Sequence, residues 1–122
     1  MARLLVVDDD ERIRIMLRMT LEEAGYDVEE APNGVVALQI QEENPVDLVI
    51  TDIIMPEKEG IETIMDLHRR WSKLPIIAIS GGGRDTPQRY LGIAKGIGAA
   101  RIFPKPILRD ELLEAITELL AA

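Results

Sequence analysis

Carboxylate, hydroxyl and ammonium side chains come at or just after the ends of four short apolar runs of the sequence: Asp8 and Asp9, Asp52, Ser80 and Lys105. Three carboxylates brought to one place would repel one another, which proteins relieve by a raised pKa or by a bound hard cation with oxygen ligands. We expect Mg²⁺, because it keeps waters and takes a phosphoryl oxygen as a ligand. Lys105 would add the second positive charge that a phosphoryl group needs, and Ser80 a hydroxyl to one of its oxygens.

The apolar runs alternate with longer stretches of helical periodicity, so the chain is predicted to be a five-fold repeat of strand and helix. The predicted strands are residues 4–7, 26–31, 46–51, 76–79 and 101–103. Strands separated by helices cannot form hairpins, so we predict an α/β fold with a five-stranded parallel sheet covered by helices. The arrangement that we expect is the flavodoxin-like, doubly wound (βα)5, in which the strand order is 2-1-3-4-5. Ligands bind such sheets at the carboxyl ends of the strands, where the strand order reverses. That point lies between strands one and three and would bring Asp8, Asp9 and Asp52 together.

The predicted helices have recognisable ends. The first follows Asp10, an N-cap, and ends at Gly25; the others are residues 34–43, 61–71, a fourth that begins near 86–87, and 109–120. We expect the first helix to bury one apolar face, made of Ile13, Met16, Leu17, Thr20, Leu21 and Ala24. Its polar residues Arg12, Arg14, Glu22 and Glu23 are predicted to lie on the outer surface.

Length, charge and composition exclude several classes of protein. The chain has 122 residues, which is one ordinary domain over residues 1–122. Fourteen basic against 22 acidic residues leave a net charge of −8, so we expect no direct contact with nucleic acid or an anionic membrane. There is no cysteine, and hence no disulfide framework or thiolate metal site. The apolar run at 4–7 is too short for a signal peptide, and we expect a cytoplasmic protein.

These residues resemble the receiver domains of two-component response regulators, including the single-domain chemotaxis type. The resemblance spans the whole chain and depends on four motifs in order: Leu4-Leu5-Val6-Val7-Asp8-Asp9, Asp47-Leu48-Val49-Ile50-Thr51-Asp52 followed by Met55-Pro56 and Gly60, Ile79-Ser80, and Lys105-Pro106. The resemblance implies that Asp52 is phosphorylated and that Ser80 and Lys105 contact the phosphoryl group. It further implies that Mg²⁺ is held by Asp8, Asp9, Asp52 and the main-chain carbonyl of Ile54. The Lys105-Pro106 bond is expected to be cis on the same ground.

The expected function is therefore that of a phosphorylation-switched signalling domain and not of a turnover enzyme. Its phosphodonor would be a phosphohistidine of a sensor histidine kinase or a histidine phosphotransfer protein. Its output partner would bind the face formed by helix four, strand five and helix five. We expect the domain to be a monomer or a weak dimer. Ile102 stands where many receivers have an aromatic residue, and Phe103 should point to the opposite side of the sheet. We expect residues 81–96, which begin with three glycines, to be mobile and to move on phosphorylation.

Two other functions fit parts of the pattern. A metal-dependent phosphatase would also use an aspartyl-phosphate intermediate, but it usually needs a second acid two residues after the nucleophile, where this sequence has Ile54. A phosphorylation-independent interaction module would keep only the fold. The intact set of Asp8, Asp9, Asp52, Ser80 and Lys105 disfavours that alternative.

Overall fold

A five-stranded parallel sheet forms the centre of the molecule, in the order β2-β1-β3-β4-β5. The computed structural model describes residues 2–53, 60–80 and 95–122. The strands are β1 (Arg3–Val7), β2 (Asp27–Ala31), β3 (Leu48–Asp52), β4 (Ile76–Ser80) and β5 (Arg101–Pro104). The predicted α/β fold, parallel pairing and strand order are confirmed, with strand ends shifted by at most two residues.

Four helices in the described ranges flank the sheet: α1 (Glu11–Glu23), α2 (Gly34–Glu43), α3 (Gly60–Arg70) and α4 (Arg109–Ala121). Asp10 caps α1 as predicted, its carboxylate accepting from the amide of Arg12 at 2.9 Å. The helix α4 is the fifth of the predicted helices. The predicted fourth helix lies largely at residues 81–94, outside the described part of the chain, so the expectation of a mobile segment at 81–96 stays a prediction.

Alternate residues of the strands pack into two apolar layers, one on each face of the sheet. Leu4, Val6 and Ile50 pack with α1 and α4, whereas Leu5 and Val49 pack with α2 and α3. A parallel sheet covered on both faces in this way buries its central strands completely. The last strand follows the same rule, since Ile102 joins the second layer and Phe103 the first. Their predicted opposite orientation is confirmed.

The buried face of α1 is narrower than the sequence predicts. Only Leu17 and Leu21 are buried, whereas Met16 is 51% exposed and Ala24 is exposed. The helix contacts the sheet along a stripe with a spacing of four residues, to which the half-buried Ile13 belongs. Positions beside that stripe remain in solvent because no further layer covers α1.

None of the helices within the described ranges is both long enough and apolar enough to cross a membrane.

Candidate functional site

Three of the predicted carboxylates meet at the carboxyl ends of β1 and β3. The two strands are neighbours, with Val7 paired to Thr51, so Asp8 and Asp52 continue them at the same edge of the sheet. Asp8, Asp9 and Asp52 each offer a carboxylate oxygen, and these oxygens all lie within 4.8 Å of one another. Asp8 and Asp52 are buried, whereas Asp9 is exposed. Such a set of hard oxygen donors could hold a divalent cation.

Asp8 is held in place by several contacts with its surroundings. Its carboxylate Oδ1 accepts from the amide of Asp10 at 2.9 Å, and its own amide donates to the carbonyl of Ala31 at 3.2 Å. Burial raises the pKa of Asp8, and the nearby Asp10 amide and Lys105 ammonium offset this only in part. The ionised carboxylate therefore opposes folding even with Lys105 beside it, and a bound cation would relieve this cost.

Lys105 brings a positive charge to the site from the strand end beyond β4. Its Nζ lies 3.2 Å from Oδ2 of Asp8 and 3.3 Å from Oδ2 of Asp52. Burial lowers the pKa of Lys105, but the attraction of Asp52 and Asp8 together outweighs it, so that the pKa is raised. The amide of Lys105 donates to the carbonyl of Ser80 at 2.9 Å, which ties it to the end of β4. The predicted cis bond between Lys105 and Pro106 is confirmed.

Ser80 ends β4 with a buried hydroxyl. The residue is 1% exposed, and its Oγ has no hydrogen-bond partner among the residues that the structure describes. An unsatisfied buried polar group costs about 1–3 kcal/mol, so such groups are rare in folded proteins unless a ligand satisfies them. A phosphoryl oxygen held by Lys105 would be a suitable partner for this hydroxyl.

Gly60 brings the start of α3 against the end of β3. Its amide donates to the carbonyl of Ile53 at 2.7 Å, and a Cβ at this position would overlap the main-chain oxygen of Asp52. Only glycine permits so close an approach of the two backbones. The glycine of the second sequence motif thus allows the start of α3 to lie directly against the end of β3.

Arg14 is a site residue that the sequence prediction missed. It was expected on the outer surface, but its side chain is only 15% exposed. Its Nη1 donates to the carbonyl of Asp8 at 2.8 Å, and its Nε donates to Oε1 of Glu30 at 3.2 Å. Helical periodicity alone could not have shown this, because the partner Glu30 is on β2. A signal is present nonetheless in the four-residue spacing of Arg14 from Asp10 and from Arg18, which places the three on one helix face.

Two elements of the predicted site lie outside the described residues. They are the main-chain carbonyl of Ile54, expected as a metal ligand, and Met55-Pro56 of the second sequence motif. The remaining predicted residues, which are Asp8, Asp9, Asp52, Ser80 and Lys105, are all found at the carboxyl edge of the sheet.

The family model described as the response regulator receiver domain matches residues 4–117. The chain belongs to this family. Receiver domains are the phosphoryl-accepting signalling switches of two-component systems, and this is the role of the present domain.

Two curated relatives extend this assignment of the receiver domain. The chain is 39% identical over 120 residues to the transcriptional regulatory protein CpxR homolog of Haemophilus influenzae, covering 98% of this chain and 51% of that protein. It is also 39% identical over 119 residues to response regulator MprA of a Mycobacterium species, covering 97% and 50%. The chain thus spans about half the length of the curated relatives that it matches.

A solved structure shares the architecture of the receiver domain. The CheY-like receiver domain protein of Methanospirillum hungatei superposes with a TM-score of 0.90 at 30% identity. The match covers 99% of this chain and 94% of that one.

Proposed function

We propose that this receiver domain, one domain over residues 1–122, accepts a phosphoryl group on Asp52 from a phosphohistidine of a sensor histidine kinase or a histidine phosphotransfer protein. The observation that carries the proposal is the position of Lys105, whose Nζ lies within 3.3 Å of both Asp8 and Asp52. The buried hydroxyl of Ser80, which has no hydrogen-bond partner among the described residues, ends the neighbouring strand β4. A buried ammonium, a hydroxyl donor and a carboxylate together suit transfer of an anionic group.

In the proposed reaction a carboxylate oxygen of Asp52 attacks the phosphorus of the donor. The new O–P bond forms as the P–N bond to the imidazole breaks, and the electron pair of that bond stays on the imidazole nitrogen. Lys105 and Ser80 hold oxygens of the transferred group. Water later attacks the phosphorus, releases inorganic phosphate and restores the carboxylate of Asp52.

Asp8 and Asp9, together with Asp52 and the main-chain carbonyl of Ile54, are the proposed Mg²⁺ ligands. The fit depends on the donor set, since three carboxylates within 4.8 Å of one another provide oxygen ligands and an excess of negative charge. When bound, Mg²⁺ would neutralise the carboxylates and the incoming phosphoryl oxygens.

An exposed apolar groove beside Lys105 supports a protein as the phosphodonor. The groove has a volume of about 440 Å³ and is lined by Ile13, Met16, Lys105, Pro106 and Ile107. Met16 is 51% exposed, and methionine side chains adapt well to a partner's surface. A protein that carries a phosphohistidine would cover this groove while presenting the phosphoryl group to Asp52.

The output partner is proposed to bind the surface of β5, α4 and the predicted fourth helix. The described part of this surface is charged: Arg101 of β5 and Glu118 of α4 lie 3.5 Å apart, and Glu111 and Glu114 line the same shallow groove. A phosphorylated Asp52 would act on this surface through Ser80 and Lys105, at the ends of β4 and β5.

Intact-mass measurement with acetyl phosphate and Mg²⁺ tests the assignment of Asp52. The wild-type chain should gain the mass of one phosphoryl group, and Asp52→Asn should gain none. Asp10→Asn is the matched control, because asparagine also caps helices and the Asp10 side chain is 38% exposed. This variant should be phosphorylated normally. A phosphoryl adduct on Asp52→Asn would contradict the assignment. Failure of the wild type to be phosphorylated would favour an interaction module, and steady turnover of a chromogenic phosphate ester would favour a phosphatase.

A further inference from the structure

We propose that Arg14 is a positioning residue that holds the metal ligand Asp8 in place through the main-chain carbonyl of Asp8. The inference rests on the proposed function, because it concerns the Mg²⁺ site that Asp8 is proposed to form. Its structural basis is the pair of hydrogen bonds from one guanidinium, to Asp8 and to Glu30.

Every polar group of Asp8 has a defined partner. Its amide donates to Ala31, Oδ1 accepts from the amide of Asp10, and Oδ2 accepts from Lys105. Its carbonyl accepts from Nη1 of Arg14 at 2.8 Å, the shortest of these four contacts. The Arg14 contact therefore holds the peptide unit between Asp8 and Asp9. The positions of both carboxylates, two of the proposed Mg²⁺ ligands, depend on that unit.

The guanidinium of Arg14 is itself held by an ion pair with Glu30 of β2. Its Nε lies 3.2 Å from Oε1 of Glu30, and the other oxygen of Glu30 accepts from Arg18 at 2.9 Å. The side chains of Arg14 and Glu30 are only 15% and 22% exposed, so solvent screens this pair less than an open surface pair. A single carboxylate on β2 therefore orients Arg14, which in turn orients the loop after β1.

Replacing Arg14 should change the Mg²⁺ affinity in opposite directions, depending on whether Arg14 acts by positioning Asp8 or only through its positive charge. A positive charge near a carboxylate cluster repels a cation, so loss of the charge alone would tighten Mg²⁺ binding. Loss of a group that orients a metal ligand weakens binding instead, typically by about 10–100-fold for such outer partners. The direction of the change in affinity thus separates the two effects.

The chain offers a matched control in Arg18. It is on the same helix and pairs with the same Glu30, but its guanidinium contacts Glu30 and Glu22 and not Asp8. Titration of Mg²⁺ alone, followed by the NMR shift of the Asp10 amide that donates to Asp8, gives the Kd of each variant. We expect Arg14→Met to raise the Kd about tenfold. Arg18→Met should leave the Kd within about twofold of wild type or lower it.

Arg14→Lys keeps the charge but cannot bridge two acceptors with the same geometry, and we expect a Kd between those of wild type and Arg14→Met. If Arg14→Met does not fold, Arg14→Lys decides alone: a Kd raised at least twofold supports the proposal, and an unchanged Kd overturns it. The proposal is also overturned if Arg14→Met leaves the Kd unchanged or lowers it, or if Arg18→Met weakens binding equally. A wild-type chain that does not bind Mg²⁺ overturns the proposed metal site itself, so failure of the two proposals is distinguishable.

Discussion

Lys105 reaches Asp52 across an intervening strand. Its Nζ lies 3.3 Å from Oδ2 of Asp52, although Lys105 follows β5, Asp52 ends β3, and β4 lies between those strands. The amide of Lys105 is fastened to the end of β4 through the carbonyl of Ser80. The ammonium is therefore held over the carboxylates by a main-chain contact and not only by its flexible side chain.

Replacing Lys105 with methionine should destabilise the metal-free protein and tighten Mg²⁺ binding. The ammonium offsets two buried carboxylates, and breaking a fully buried ion pair costs about 3–5 kcal/mol. Because the Lys105 side chain is 22% exposed, we expect a smaller loss, of about 1–3 kcal/mol. Mg²⁺ would no longer compete with the ammonium, so its Kd should fall, while phosphorylation should slow. Chemical denaturation and Mg²⁺ titration measure these effects.

Lys73 provides the control for this substitution, because it is exposed and lies after α3, at the opposite end of the sheet. Lys73→Met should change neither stability nor Mg²⁺ affinity appreciably. A Lys105→Met variant that behaves like Lys73→Met would show that the ammonium does not balance the carboxylates.

Asp8→Asn should stabilise the metal-free protein in a pH-dependent way. The pKa of Asp8 is raised in the folded chain, so the folded state binds a proton more tightly than the unfolded state, and ionisation of Asp8 lowers stability as the pH rises above 3.8. Asparagine carries no charge and avoids this loss. The increase in Tm of the variant over wild type should be largest near neutral pH and vanish below about pH 3.8.

Asp10→Asn is the opposing control in these melting experiments, with a chelator present throughout. The amide of Arg12 lowers the pKa of Asp10, so its ionised form favours folding and the substitution should bring no gain near neutral pH. An equal increase in Tm for Asp8→Asn at every pH would contradict the assigned effect of burial.

Ser80→Ala should slow phosphorylation without lowering the stability of the protein. The substitution removes a buried hydroxyl without a partner among the described residues, so the free energy of unfolding should stay the same or rise. Loss of one hydrogen bond to the phosphoryl group should slow phosphorylation about tenfold, which corresponds to about 1.4 kcal/mol. Denaturation and time-resolved intact mass give the two quantities. A marked loss of stability would show that the hydroxyl has a structural role.

Met16→Glu should impair transfer from a phosphohistidine protein but not from acetyl phosphate. A carboxylate in the groove beside Lys105 would oppose docking of an apolar protein surface, whereas a small donor does not need the groove. Met65→Glu is the control, because Met65 is similarly exposed, at 48%, but on α3 against the other face of the sheet. Phosphorylation rates with both donors provide the measurement. Equal loss with both donors would argue against a docking role of the groove.

The sequence by itself determined the alternation of strands and helices, the parallel sheet that follows from it, and the residues that end the strands. Strand and helix periods are local signals. The alternation of strands and helices defines where each apolar run ends, and at those ends the sequence has Asp8, Asp52, Ser80 and Lys105. Parallel strands place their carboxyl ends at one edge, so the convergence of these side chains followed from topology alone. The N-cap at Asp10 was equally predictable, since its hydrogen bond spans only two residues.

Only the tertiary structure decided which side chains of α1 turn inward and how the site is held. Periodicity gives the direction of a buried stripe but not its width, so Met16 was wrongly placed in the core. Arg14 was wrongly placed on the surface, because its burial depends on Glu30, sixteen residues away on another strand. The burial of the Ser80 hydroxyl, which has no hydrogen-bond partner in the described part of the chain, and the reach of Lys105 across β4 likewise depend on contacts between segments distant in sequence. Such contacts depend on the packed arrangement of the whole sheet, and hydrophobic periodicity does not reveal them.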